Sequence, residues 1–266
     1  MKRTLITLAC CWAGITCCKA QQGPARKYMG DTTLPQHPPI NWNAAELRPR
    51  IPASAFIAPG ILIAYGVTST KSDGLHQVNE KIKEEVWTEN PHSKTSIDNY
   101  LVFAPAVAVY VLNAAGVKGK HNFKDRTIIY GMANLISAGV FCGVKSFSNE
   151  MRPDGSNNFS FPSGHTATAF VSAEFLRQEY KDVSPWYGVA GYAAATATGY
   201  LRMYNNKHWL GDVAAGAGVG ILSTRLAYWL YPTIKRTFYK KSDEVKTIIM
   251  PTYQSGAVGL GLVHHF

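Results

Sequence analysis

The sequence predicts an all-α helical body that ends in a short strand-like tail, and three observations predict it. Five stretches free of charged residues recur along the chain: Ile51–Thr70, Tyr100–Val117, Thr127–Val144, Pro185–Leu201 and Val213–Thr224, several of them rich in Ala and Gly. Alternation of Val and Ile at a period of two, the mark of a strand, is missing until Lys246–Phe266. A chain of 266 residues, 46% of them hydrophobic, is long enough to bury a substantial core without disulfide staples. The 17% charged fraction lies below that of an average soluble domain, yet a mean hydropathy of −0.09 is too low for a protein built almost wholly of membrane helix. Composition therefore excludes disorder and leaves the chain between globular and membrane classes. The net charge of +10 points to anionic partners, phosphorylated substrates or acidic headgroups among them; charge alone is equally compatible with nucleic acid.

Each segment follows in order. Lys2 and Arg3 precede an apolar run from Leu5 to Cys18, and Cys18-Lys19-Ala20 places a small residue at both positions that a signal peptidase reads. Residues 1–20 are thus expected to be a signal peptide that directs export. Cys10, Cys11, Cys17 and Cys18 lie within it, so Cys142 stands alone in the exported chain and no intramolecular disulfide is available. Residues 21–50 are polar and Pro-rich and read as an extended lead-in. Residues 51–232 form the predicted domain. Its charge-free stretches of 17 to 20 residues stand at the lower limit for crossing about 30 Å of hydrocarbon and suit core helices equally well. Between Asp73 and Asn99 the chain turns polar, and Glu80–Trp87 reads as an amphipathic surface helix with a solvated charged face. Lys118, Lys120, Lys124 and Arg126 against one Asp125 make the kind of loop that stays cytoplasmic in membrane proteins. Trp186, Tyr187, Trp209, Trp229 and Tyr231 stand at the ends of helical stretches, where interfacial aromatic belts occur. Residues 233–266 read as a basic linker and a hairpin-like tail.

The chemistry is concentrated between residues 145 and 212. Lys145 and Arg152 are seven apart, so a continuous helix would project both cations from one face before Pro153 ends it. Phe161-Pro162-Ser163-Gly164-His165 precedes the apolar run Thr166–Leu176, which puts a hydroxyl, an unencumbered Gly amide and an imidazole at a helix N-terminus, a natural anion site. Arg202, His208 and Asp212 follow; the last two are i,i+4 and can meet on one helix face, where the carboxylate orients the imidazole. Singly, each of these is ordinary: surface lysines, structural histidines and Pro-Ser-Gly turns are common. Ten specified identities at fixed local spacing are not expected by accident.

Together, Lys145-x6-Arg152-Pro153, Pro162-Ser163-Gly164-His165 and Arg202-x5-His208-x3-Asp212 resemble the three signature motifs of the type 2 phosphatidic acid phosphatase (PAP2) superfamily, over roughly Ile51 to Pro232. The resemblance implies a PAP2-type bundle of about six core helices and metal-independent hydrolysis of a phosphomonoester or diphosphate through a phosphohistidine. It implies that His208 is the nucleophile, that Asp212 holds its tautomer and that His165 protonates the leaving oxygen. Lys145, Arg152, Ser163, Gly164 and Arg202 would bind the non-bridging oxygens. One departure stands out: Leu201 occupies the position before Arg202 where the family usually has Ser. No cofactor is implied, and nucleic acid ceases to be the natural partner.

The expected substrate is an envelope lipid phosphate or diphosphate of the lipid A, undecaprenyl diphosphate or phosphatidic acid class, turned over at the inner membrane by a site facing the periplasm. A soluble periplasmic acid phosphatase is the alternative. A vanadium-dependent haloperoxidase, in which vanadate sits where phosphate would, is a further one. A noncatalytic protein that binds anionic lipid is the reading from another class, and the intact set of His208, His165 and Asp212 argues against it. Parity matters to the side: after export of Gln21, a spanning Ile51–Thr70 carries the motifs into the cytoplasm, whereas packing of that stretch in the core or on the membrane leaves them facing the periplasm.

Overall fold

The structure, a computed structural model, describes residues 52–239, 247–254 and 257–264. The expected signal peptide and lead-in lie outside the described residues. Among the described residues eight α-helices follow one another: α1 (Ser54–Ser69), α2 (Asp73–Lys83), α3 (Ile97–Leu101), α4 (Ala104–Ala114), α5 (Phe123–Ser148), α6 (Gly164–Tyr180), α7 (Pro185–Tyr204) and α8 (Leu210–Tyr239). Helix α2 runs on into a π-helical turn, Glu84–Thr88. Strands β1 (Thr247–Gln254) and β2 (Ala257–His264) form an antiparallel hairpin in which Thr247 pairs with His264 and Gln254 with Ala257. The all-α class and the hairpin tail are as the sequence predicts.

Local chemistry sets the helix ends. Asn122 caps α5 by accepting from the Asp125 amide at 2.8 Å, and Ser163 caps α6 by accepting from the Thr166 amide at 3.4 Å. Pro185 occupies the first turn of α7. The stretch Tyr100–Val117, continuous in its lack of charge, is divided into α3 and α4 by a turn at Val102–Phe103, and Pro105, which has no amide hydrogen to donate, sits in the first turn of α4. At its other end the expected domain boundary is exceeded, because α8 continues through Pro232 to Tyr239. Tyr231 donates to Asp125 at 2.6 Å and Lys235 pairs with the same carboxylate at 2.7 Å, which ties these last turns to the start of α5.

Helices α1 and α4–α8 traverse the bundle, with α6 against α4, α5, α7 and α8 and with α1 on α8. Glycines let the backbones approach. A Cβ on Gly218 would stand 2.6 Å from the Pro59 carbonyl oxygen of α1, and one on Gly216 2.6 Å from that of Ser163 at the head of α6, so α8 presents one small-residue face to each partner. Helix α1 runs antiparallel to α8. Its C-terminal Gly66 meets Gly211 and Ala215, whereas Arg225, far along α8, donates to the Ala55 carbonyl. Buried polar clusters lock the end to which α8 leads. Glu174, fully buried, receives Arg177, Arg225, Gln178 and Tyr192; Glu179 receives His121 and Tyr228.

Among the described residues, α5 and Leu210–Thr237 of α8 are long and apolar enough to cross a membrane, while α1 and α4 are shorter. The aromatic belt is only partly realised. Trp186 and Trp229 are exposed, but Trp209 and Tyr231 are buried because their polar atoms find partners inside, the indole donating to the Met151 carbonyl at 2.8 Å.

Candidate active site

Three loops and helix ends meet at the other end of the bundle, where α5 and α7 finish and α6 and α8 begin. Asn149, in the left-handed region at φ 49°, ends α5 one turn after Lys145. Arg152 is therefore carried by the following loop and not by a second helical turn, contrary to the expected one-face geometry. That loop is well tied. The Arg152 amide donates to the Asn157 carbonyl at 3.0 Å, and the Ser160 amide donates to the Glu150 carbonyl at 3.0 Å. Asp154 accepts from Lys207 at 2.6 Å, and Lys94 lies 3.6 Å from the same oxygen. Burial alone would push the Asp154 carboxyl up, but the Lys207 ammonium and the bonds from Ser156 hold it well below the usual range. Glu150 moves the other way, raised by burial and then by the negative charge of Asp212.

Ser163 heads α6, its fully buried hydroxyl accepting from Thr166 Oγ1 at 2.9 Å while its amide donates to the Asp212 carbonyl at 3.1 Å. The second and third motifs are thus joined through the backbone. Gly164 and His165 follow in the first turn of α6. His208 precedes α8, and Asp212 lies in its first turn with Oδ2 accepting from the Trp209 amide at 2.9 Å, as a carboxylate favours at a helix N-terminus.

The same Oδ2 lies 3.4 Å from His208 Nδ1, with His208 3% and Asp212 1% exposed. Burial lowers the His208 pKa to about 4, despite the hydrogen bond to Asp212 and its charge, and the cations Arg202 and Arg152 lower it further. The imidazole is neutral at physiological pH, with Nδ1 against the carboxylate and Nε2 left to act. Lys145 interacts electrostatically with Arg152, Arg202 and Asp212, and His165 with Arg202, Lys145 and Arg152, so the fold brings all three motifs within one field. Among the described residues, Arg152 Nε and Arg202 Nε are buried donors with no hydrogen-bond partner in the protein. Donors of this kind fit a multiply charged oxyanion. Among the described residues, no group of three or more His, Cys, Asp or Glu side chains is placed to hold a metal ion.

Three residues of the site escape sequence reading. Ser160, fully buried, donates its hydroxyl to Asp212 Oδ2 and lies 3.5 Å from His208 Nδ1. Leu201 brings no hydroxyl, and Ser160 supplies one to this pair. Asp98 is 1% exposed and accepts from Arg202 Nη1; Asn99 Oδ1 lies 2.9 Å from His165 Nε2. Both belong to the polar segment 73–99, so that segment is more than the solvated face its charges suggest. The one visible signal is an acid placed at the edge of the apolar run from Tyr100. In the same segment, Asn79 accepts from the Gly211 amide at 3.3 Å.

Residues 126–236 match the family model of the PAP2 superfamily. The chain is 41% identical over 162 residues to a lipid A 1-phosphatase of Porphyromonas gingivalis, covering 60% of this chain and 36% of that protein. It is 36% identical over 75 residues to the bacitracin transport permease protein BcrC of Bacillus licheniformis, covering 28% of this chain and 35% of the other. The chain spans about a third of the length of these curated relatives. Among solved structures, Aquifex aeolicus LpxE aligns at a TM-score of 0.43 and 22% identity, over 57% of this chain and 94% of that one. A PAP2-type phosphatidylglycerolphosphate phosphatase from Bacillus subtilis aligns at 0.48 and 19%, over 67% and 98%.

Proposed function

We propose that the chain, whose residues 126–236 match the PAP2 superfamily and hold all three motifs, hydrolyses a lipid phosphate through a phosphohistidine intermediate. The observation that carries this reading is the neutral, buried His208 held by Asp212 beside the unpartnered Nε donors of Arg152 and Arg202. His208 Nε2 attacks phosphorus as the bond to the leaving oxygen breaks, and His165 gives that oxygen its proton. Lys145, Arg152, Arg202 and the head of α6, with Ser163 and Gly164, hold the non-bridging oxygens as their charge redistributes. In the second half, water attacks phosphorus, the P–N bond breaks, His165 takes the proton from water and His208 is released neutral. Asp212 offsets the charge that develops on the imidazole, and the Ser160 hydroxyl keeps the carboxylate in place.

The substrate proposed is the phosphate of a lipid A-type glycolipid, supported by the named activity of the Porphyromonas relative. Membrane residence is supported by α5, whose apolar 26-residue length carries Leu135 at 74% exposure near its middle, a face that water does not favour. The end opposite the site carries Lys118, Lys120, Lys124, Arg126, Lys181, Lys235 and Arg236, which supports a cytoplasmic position for it and an extracytoplasmic one for the site.

The test is phosphate release by detergent-purified protein from lipid A, undecaprenyl diphosphate and phosphatidic acid, with His208→Ala alongside. Release from lipid A that disappears in the variant supports the proposal. Equal release in the variant overturns the mechanism, and preference for another lipid overturns the substrate.

A further inference from the structure

Helix α3 is only five residues long and lies outside the six traversing helices, yet two adjacent side chains on it reach two different parts of the site. Asp98 accepts from Nη1 of Arg202, a pair separated by 104 residues in sequence. Asn99 Oδ1 faces His165 Nε2 at 2.9 Å. The short helix is itself anchored where α7 ends: the Thr95 amide donates to Asn205 Oδ1 at 2.9 Å, Asn205 Nδ2 donates to the Thr95 carbonyl at 2.8 Å, and His92 stacks on Tyr204 at 3.6 Å between ring centroids. A segment held at three points in this way has little freedom to move relative to Arg202, one turn back on α7.

We infer that α3 is a positioning element of the catalytic site, in which Asp98 sets the guanidinium of Arg202 and Asn99 sets the imidazole of His165. The inference rests on the phosphatase reading above. A guanidinium offers donors along more than one edge in a fixed plane. With Nη1 committed to a buried carboxylate, the plane is fixed and Nε, which has no protein partner, keeps its direction for a phosphoryl oxygen. An amide oxygen accepts and does not donate, so Asn99 Oδ1 accepts the Nε2–H of His165, favours the protonated ring and leaves Nδ1–H to protonate the leaving oxygen. Asp98 therefore acts on oxyanion binding and Asn99 on leaving-group departure, two steps that kinetics separates.

Steady-state kinetics on detergent-purified protein test this with p-nitrophenyl phosphate, whose leaving group departs without a proton, and with a simple alkyl phosphate, whose leaving group requires one. Asp98→Asn is expected to raise KM and the inhibition constant of inorganic phosphate about tenfold with kcat changed less, and Asp98→Glu to recover part of the loss. Asn99→Ala is expected to lower kcat/KM, which reports only the steps through departure of the leaving group, about 100-fold on the alkyl ester and little on the aryl ester. Asn99→Asp, which keeps the acceptor and adds charge, is expected to restore alkyl turnover and move the alkaline limb of the pH profile upward. Equal losses on both esters in Asn99→Ala, or unchanged phosphate inhibition in Asp98→Asn, overturn the inference. Asn99 is exposed, so its variants fold even if burial makes Asp98→Asn unstable. Phosphate release that survives His208→Ala sinks the underlying phosphatase reading; silent α3 variants beside an inactive His208→Ala sink only the positioning role.

Discussion

Asp212 Oδ2 stands 3.4 Å from His208 Nδ1 and accepts in addition from the Trp209 amide and the Ser160 hydroxyl. Two neighbours thus fix one carboxylate oxygen, and that oxygen fixes the imidazole. Asp212→Asn keeps the shape and reverses the tautomer preference, so kcat for phosphate release is expected to fall about 10⁴-fold, close to the loss in His208→Ala. Ser160→Ala, which removes only the support of the carboxylate, is expected to cost about tenfold. Parallel assays of the three variants check the ranking; a Ser160→Ala enzyme as dead as Asp212→Asn contradicts it.

Acid acts on His208 in two ways. With its pKa lowered to about 4 in the folded protein, the nucleophile stays neutral down to that pH, so the acid limb of kcat/KM is expected near 4 and not near 6.5. Stability behaves differently. Between pH 6.5 and about 4 the unfolded chain takes up a proton that the folded chain refuses, so stability declines as pH falls through that window. Asp154, depressed by Lys207 and Ser156, contributes stability above its unfolded value of 3.8 that is lost below it. Melting temperatures from pH 7 to 2 should fall in two stages, and Asp154→Asn should shrink the lower one.

Glycine packing makes a contrast within one protein. At Gly216 an added Cβ meets the Ser163 carbonyl at 2.6 Å, and backbone at the head of α6 must shift. Gly216→Ala is expected to cost about 1–3 kcal/mol and to lower activity by moving Ser163 and His165. At Gly131 on α5 nothing lies within 4 Å of an added Cβ. Gly131→Ala is expected to raise the melting temperature, by up to ~1 kcal/mol of stability, with activity intact. Differential scanning measurements and turnover on the same preparations read both.

Leu135 reports the medium around α5. Leu135→Lys at a position 74% exposed changes a water-soluble protein by about 0.5 kcal/mol or less, but near the middle of a spanning helix it costs ~3 kcal/mol of insertion. Reduced membrane yield of the variant, together with wild-type protein that resists carbonate extraction, is the expected result. Full yield as soluble protein contradicts a spanning α5.

Sidedness can be read from α1. Its first residues lie at the end of the bundle opposite the site, since Ala55 meets Arg225 and Gly66 meets Gly211. A cysteine placed at Ser54 is expected to label from the cytoplasmic side, and one at Lys71 from the side of the site. Labelling of Ser54 from outside would instead agree with delivery of Gln21 to the periplasm.

The site was legible in the sequence to the extent that it is local. His208 and Asp212 lie four residues apart across the start of α8, and Ser163-Gly164-His165 begin α6, so both relations follow from short chain separation at a helix N-terminus. Lys145 and Arg152 show where locality misleads: their spacing suits one helix face, but Asn149 ends the helix between them. Asp98 and Asn99 had no such signal. Their partners lie 104 and 66 residues away, and an acid in a polar segment looks solvated until the fold buries it.

By itself, then, the sequence determined the helical class, the hairpin tail and the kinds of group available for phosphoryl chemistry, because propensity, capping and hydrophobic runs act over a few residues. Only the tertiary structure decided that the loop carrying Arg152 faces His208, that Ser160 and α3 support the site and that α1 runs against α8. Those facts depend on which small-residue face of α8 meets which neighbour, and close packing between distant helices is chosen by the whole bundle at once.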